Sequence, residues 1–298
     1  MTAAVELRVD EPLVITAPGV YDLPAEQYHA DPVPGGSLSS TGARKLLPPS
    51  CPALFRHWVD SGGDGPKPAW DLGSAAHKLV LGVGPELVLV DRDRWDTKEV
   101  KATVAEIREA GGIPLKREPY ETVHAMADKI REHPLARVLL SSGTGQSEAT
   151  IAWRDERTGV WCRAMIDHLP PAKHHGGRLL IPDYKTGRTA SPDKLGRVIA
   201  DFGYHVQLAW YLMGLRAIGY ADDDAQALLV IQESTAPYLV TVSHPDTTAM
   251  RLGAIRCRQA LDLYAECVAV DRWPGYGDEV VITELPPWET RELEGQIW

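Results

Sequence analysis

The chain has 298 residues, 44% hydrophobic and 24% charged, an ordinary globular composition long enough to bury a core without disulfides or a structural metal. Its 41 acidic and 31 basic residues give a formal charge of −10, which argues against non-specific binding to nucleic acid or anionic lipid but leaves room for a local basic patch. No apolar run approaches the ~18 residues of a membrane span, and Met1 to Val9 lacks the basic start and apolar stretch of a secretory signal.

In chain order, residues 1–12 are expected to be disordered, and 20–28 leads into a Pro- and Gly-rich loop at 31–36. Ser39 or Ser40 caps a short helix running to Leu47, stopped by Pro48 and Pro49. Further helices are predicted over 53–59, 73–81, 99–110 and 120–132, the last two from apolar positions at three- and four-residue steps. After Pro134 the period changes. Residues 149–154 and 160–169 alternate around a turn at 155–159, a hairpin signal. A strand over 179–185, one long helix from about 193 to 218, strands over 225–232 and 238–243, and a helix over 247–270 follow. This order predicts a mixed α/β fold: one domain over 13–270, with a helical N-terminal region (37–135) and a mixed-sheet core (145–245). The tail, 271–298, is acidic, and its Trp288 and Trp298 suit either an interface or packing on the same chain.

Cys51, Cys162, Cys257 and Cys267 form no C-x-x-C pair and are expected to be reduced, buried thiols. They also lack a tight C-terminal run, so no iron–sulfur cluster is expected.

The chemistry-bearing segment is 166–186. Asp167 and Asp183 fall near the ends of neighbouring strands, where two carboxylates can converge on one hard divalent cation. Lys185 follows Asp183 by two residues and so shares its face of the strand. A cation beside a lysine can generate hydroxide and steady an oxyanion at phosphorus. D-x-K alone is more often a surface ion pair. His77, after the small residues of Gly73-Ser-Ala-Ala, Glu148 at the start of the strand before Asp167, and Gln207 and Tyr211 one helical turn apart add to it. Each has a plainer reading: His77 as a core histidine, Glu148 as a loop carboxylate, Tyr211 as helix core like Trp210, Ser39 as an N-cap. His174 and His175 read as a solvated loop, and 222–224 as a solvated turn.

Taken together, G-x-x-x-H, Glu148, Asp167, Asp183-x-Lys185 and Gln207-x-x-x-Tyr211 resemble the PD-(D/E)XK nuclease superfamily in its RecB-like branch. The stretches 38–47, 73–81, 158–167, 182–186 and 203–211 are similar to the exodeoxyribonuclease VIII (RecE-type) exonucleases of phages and prophages. The resemblance implies a restriction-endonuclease-like core and a Mg²⁺-dependent exonuclease, with Mn²⁺ able to substitute. The enzyme would act on the ends of double-stranded DNA, 5′ to 3′, and leave 3′ overhangs for a single-strand annealing protein. It further implies a homo-oligomeric ring in the cytoplasm of a bacterial host.

By the same resemblance Asp167, Asp183 and the Tyr184 carbonyl are metal ligands, with His77 a further ligand or neighbour. Glu148 orients a metal-bound water or the metal shell, Lys185 serves the attacking water and the transition state, and Gln207 and Tyr211 brace the site. Ser39, Ser40 or Thr41 holds a terminal 5′ phosphate, assisted by Arg44 and Lys45. Arg163 and Arg188 complete the expected DNA contacts.

Local charge agrees: 163–197 carries seven Lys or Arg against three Asp, a net of +4, while 271–298 carries seven acids against two bases, a net of −5. An endonuclease or single-strand nuclease on the same fold, and a non-catalytic DNA-binding recombination scaffold, remain alternatives.

Overall fold

The alternating residues after position 145 form the hairpin around which the rest of the chain is arranged. The computed structural model describes residues 12–63, 72–141, 143, 145–172, 178–287 and 289. His174, His175, Trp288 and Trp298 lie outside the described residues, as does the expected disordered segment apart from Pro12. The N-terminal half runs β1 (Gly19–Tyr21), α1 (Ala25–His29), β2 (Leu38–Ser39), α2 (Ser40–Leu46), α3 (Pro52–Asp60), α4 (Leu72–Leu81), β3 (Leu87–Leu89), α5 (Lys98–Glu109), β4 (Ile113–Leu115), α6 (Arg117–Glu132) and α7 (Ala136–Leu139). The remainder runs β5 (Gln146–Arg154), β6 (Trp161–Leu169), β7 (Leu180–Gly187), α8 (Pro192–Phe202), α9 (Tyr204–Ala217), β8 (Gln226–Glu233), β9 (Val240–Ser243) and α10 (Thr247–Val270).

Two sheets carry the core. One has the order β1-β5-β6-β2, the other β7-β8-β9. Strand β5 lies antiparallel along one edge of β6. The opposite edge of β6 is shared. Its first half pairs with β2 in parallel, Leu38 with Cys162 and Ser39 with Arg163. Nearer its end, Asp167 meets β7 through its side chain, whose Oδ2 accepts the Tyr184 N–H at 2.7 Å. The two sheets thus come together at a seam between β6 and β7. Strands β7 and β8 are parallel, so they require the crossover that α8 and α9 supply.

Period-two alternation sends Ala149, Ile151 and Trp153 of β5, with Cys162, Ala164 and Ile166 of β6, toward α9. There Trp153 and Trp210 meet with ring centroids 5.2 Å apart. Trp210 donates its Nε1–H to the Arg163 carbonyl at 3.0 Å, so it is core, as read from the sequence. Close approach of α9 to the sheet needs Gly214, because a Cβ there would lie 2.5 Å from the Trp153 ring. Helix α10 packs behind α9, starting from Asp246, whose side chain caps it by accepting the Ala249 N–H at 2.7 Å. The four cysteines are free and buried.

Two expectations need correction. The single long helix over 193–218 is two helices, because Gly203 sits at φ 65° and closes α8 with its N–H on the Ala200 carbonyl. The N-terminal region is also less purely helical than its periodicity implies: β3 and β4 pair in parallel around α5. Three-residue strands carry too little alternation to be read. Among the described residues no helix is long and apolar enough to cross a membrane.

Candidate active site

Strand β7 delivers its residues to two faces. Tyr184 points into the apolar cluster of α4, α6 and α7, where its hydroxyl donates to Gln232 Oε1 at 2.6 Å and Gln232 in turn donates to the Met126 carbonyl. Asp183 and Lys185 share the other face, toward α9, and pair at 2.7 Å between Oδ2 and Nζ. Asp183 is completely buried. Its Oδ1 accepts from Tyr211 Oη at 3.3 Å and Gln207 Nε2 at 3.4 Å, and Gln207 also donates to Tyr211 Oη at 2.6 Å. The one-turn spacing of Gln207 and Tyr211 thus sets both polar groups against one oxygen of Asp183.

From the other side of the seam come Asp167 and His77. His77 Nδ1 lies 4.0 Å from Asp167 Oδ2, and its ring packs on Tyr184 with centroids 4.8 Å apart. The small residues before His77 allow this approach, since Ala75 and Ala76 are fully buried. Glu148 completes the set. The pairs Ser147–His168 and Ala149–Ile166 put it opposite Asp167, and φ of 50° lifts it out of the β5–β6 ladder. It is the third residue of β5, and Ser147 anchors that end by donating to the Leu81 carbonyl at 2.8 Å. A non-glycine residue at positive φ costs on the order of 1–3 kcal/mol and persists where surrounding structure holds it, often at functional sites.

Of this set His77, Glu148 and Lys185 line a cleft of about 550 Å³, together with Ser74, Lys78 and Thr186, while Asp183 stays buried behind it. Lys78 and Thr186 were not singled out from the sequence; each directly follows a site residue or motif, the one available signal. A larger groove of about 930 Å³ lies elsewhere, between the β5–β6 turn, α9 and α10, and contains none of the site carboxylates.

Crowded, buried charge sets the electrostatics. Burial, reinforced by the Asp167 charge and opposed by Lys185, pushes Asp183 up to about 6. Burial likewise raises Asp167, against Lys185 and the Tyr184 N–H. Glu148 is raised by burial and then by Asp167. Burial pulls on the Lys185 ammonium, but Asp183 and Asp167 outweigh it and hold the lysine above its ordinary value. His77 is lowered to about 4 by burial and by Lys185, which leaves a neutral imidazole at neutral pH.

Three carboxylates, Glu148, Asp167 and Asp183, against two ammonium groups, Lys185 and Lys78, leave the site short of positive charge, and the Asp183 Oδ2 atom has no directed hydrogen bond besides its contact with Lys185. That donor set, rich in carboxylate oxygen, fits a hard divalent cation. The Tyr184 carbonyl is available to it as well, because in an extended strand a residue's N–H and C=O point to the same edge and this N–H meets Asp167. Among the described residues no three His, Cys, Asp or Glu side chains already converge as a closed metal cage. Lys185 and the Tyr184 N–H hold the carboxylate oxygens instead.

The expected DNA contacts are only partly brought to the site. Arg163 is buried: it pairs with Asp31 at 2.7 Å, donates to Ser37 Oγ and carbonyl at 2.7 and 2.8 Å, and lies over the Tyr28 ring. It braces the loop before β2, which corrects its reading as a phosphate contact. Ser39 and Ser40 are also buried, and the Ser39 hydroxyl caps α2 by accepting the Gly42 N–H, the plainer of its two readings. Lys45 lies 5.0 Å over the Trp58 ring. Arg44 reaches the α8–α9 junction, donating to the Phe202 carbonyl at 2.5 Å, and touches Thr41 Oγ1 at 3.4 Å. Arg188 stands exposed just past the end of β7.

A D-x-K strand, an aspartate on its neighbour and Q-x-x-x-Y on the second helix after it define the PD-(D/E)XK class of fold. The chain belongs to the family described as a PDDEXK-like domain of unknown function (DUF3799), which matches residues 50–285. No curated protein matches it. Among solved structures, a "Putative exonuclease" from Eubacterium rectale shares the fold with a TM-score of 0.57 at 12% identity, over 90% of this chain and 98% of that one. A phage related exonuclease from Haemophilus somnus and an alkaline exonuclease from Laribacter hongkongensis are more distant. Their TM-scores are 0.27 and 0.26, at 13% and 14% identity, over 66% of this chain and 95% and 90% of theirs.

Proposed function

We propose that this chain is a divalent-metal-dependent deoxyribonuclease that degrades linear double-stranded DNA from its ends, with residues 13–270 acting as one nuclease domain. The observation that carries this reading is the meeting of Asp167, Asp183 and Lys185 at the β6–β7 seam, with Gln207 and Tyr211 braced on Asp183. The fold shared with the Eubacterium rectale structure, described as a "Putative exonuclease", supports it.

Asp167 and Asp183, with the Tyr184 carbonyl and His77 beside them, would hold Mg²⁺, for which Mn²⁺ substitutes. The bound cation supplies a nucleophilic water at neutral pH and offsets charge on the phosphoryl oxygens. Lys185 keeps its proton and presents positive charge to the pentavalent transition state. Glu148, set across from Asp167, orients the attacking water. Gln207 and Tyr211 fix one oxygen of Asp183, leaving the other toward Lys185. Hydrolysis needs no covalent enzyme intermediate. Of the expected DNA contacts, Thr41, Arg44, Lys45 and the exposed Arg188 are the ones not buried.

The reading extends to an exodeoxyribonuclease VIII type of enzyme, phage- or prophage-encoded. It acts 5′ to 3′, leaves 3′ overhangs for a single-strand annealing partner, and works as a homo-oligomeric ring in the host cytoplasm. Linear duplex labelled at either its 5′ or its 3′ end, alongside covalently closed circles, tests it. Linear DNA should be degraded with Mg²⁺ and spared with EDTA, closed circles should survive, and Asp183→Asn or Lys185→Ala should lower the rate about a hundredfold or more. Cleavage insensitive to EDTA, or active Asp183→Asn protein, would overturn the reading. Nicking of circles would favour an endonuclease.

A further inference from the structure

The break between α8 and α9 places two aromatic rings beside the site lysine. Gly203, at φ 65°, turns the chain so that Phe202 and Tyr204 stack, with centroids 5.5 Å apart and planes 15° from parallel. Tyr204 lies under the Lys185 ammonium, Nζ to ring centroid 5.7 Å. Arg44 fixes the junction by donating to the Phe202 carbonyl. Phe202 is nevertheless 60% exposed, whereas Leu195 and Ile199 of the same helix are buried.

We propose that Phe202 is a base-stacking position for the DNA strand whose phosphate lies at Lys185. This inference rests on the nuclease reading and deepens it. The face of Phe202 turned away from Tyr204 is free to take a flat partner beside the site lysine, and a nucleobase is such a partner whatever its sequence. Tyr204 backs the ring from below and the Arg44 bond fixes its backbone, so the stacking surface is held before DNA arrives. The Phe202–Tyr204 stack leads directly to the Lys185 ammonium, so a base on Phe202 lies no more than a few nucleotides from the phosphate that Lys185 contacts. The occupant is an unstacked base, which gives the site a means of holding open the end of the strand being degraded.

The test combines Phe202→Ala and Phe202→Trp with a set of end-labelled DNAs, each carrying one abasic site at successive positions from the end. Binding and cleavage are both measured. Wild-type protein should lose about tenfold in affinity when the abasic site falls at one particular position, and Phe202→Ala should lose about the same on intact DNA. Alanine protein should then be indifferent to that abasic position, while Phe202→Trp restores both affinity and position dependence. An abasic penalty that persists undiminished in Phe202→Ala, or alanine protein that binds intact DNA like wild type, overturns the stacking role even if cleavage is robust. Wild-type protein that neither binds nor cleaves any of the DNAs overturns the nuclease reading, and the stacking role with it.

Discussion

Glu148 and Asp167 stand opposite each other across the β5–β6 hairpin, and theirs is the one position along β5 where the ladder pairing lapses. Like charges facing each other across strands are destabilising, by about 0.2–1 kcal/mol, and Glu148 adds a backbone at positive φ. The raised affinity of Glu148 for its proton has the same origin, burial and then the Asp167 charge. A carboxyl raised in the folded state destabilises when ionised, and that penalty fades as pH falls through the raised value.

Glu148→Gln should therefore raise the melting temperature at pH 7 while lowering nuclease activity. Thermal melts against pH check it: the advantage of the glutamine variant should shrink toward acid pH, where wild-type Glu148 is protonated. Equal melting temperatures at pH 7 would mean that the opposed carboxylates cost nothing.

Tyr211→Phe removes one hydroxyl from a buried carboxylate and from Gln207. The loss of a hydrogen bond to a charged group is worth about 1.5–3 kcal/mol. Urea denaturation should show a stability loss of that order, and kcat should fall about tenfold or more as Asp183 loses its fixed orientation. Unchanged kcat alongside reduced stability would make the brace purely structural.

Asp155 in the hairpin turn accepts both Arg258 Nη1 and Nη2 at 2.8 Å, and the Thr158 N–H and hydroxyl at 2.9 and 2.6 Å. Burial raises its pKa, but Arg258 and Thr158 outweigh that and hold the carboxyl at about 2. A depressed carboxyl contributes fully above its unfolded value near 4 and loses that contribution as pH falls through about 2. Asp155→Asn should cost about 2 kcal/mol at pH 7, and its deficit relative to wild type should close between about pH 4 and 2 in acid-denaturation curves.

Gly203→Ala should cost about 1 kcal/mol, since alanine resists the left-handed backbone and its Cβ would lie 3.0 Å from Arg44 Cδ. Gly203→Asn should cost less, because asparagine tolerates that conformation better. Calorimetric melts of the two variants give the comparison.

Much of the core was legible in the sequence because its signals are local. Period-two alternation located the hairpin, and D-x-K at spacing two put Asp183 and Lys185 on one face. A one-turn spacing put Gln207 and Tyr211 on one helical face, and they do bond to each other and to Asp183. The break at Gly203 was harder to read, because apolar periodicity continues across it and only the left-handed φ ends the first helix.

Charge composition shows the same division. The count of −10 identified an acidic chain, and the segmental count identified a basic stretch around β7. Neither indicated that Arg163 would be buried against Asp31 and Tyr28, or that Arg44 would pin the α8–α9 junction, since both contacts join residues far apart in the chain. Nor did spacing place Glu148 opposite Asp167, or Phe202 and Tyr204 beside Lys185. Sequence by itself determined which chemical groups this chain can bring to a site, because residue type and short-range periodicity are local properties. Only the tertiary structure decided which charges stay in the cleft and which become internal braces, because desolvation and pairing depend on neighbours that folding alone brings together.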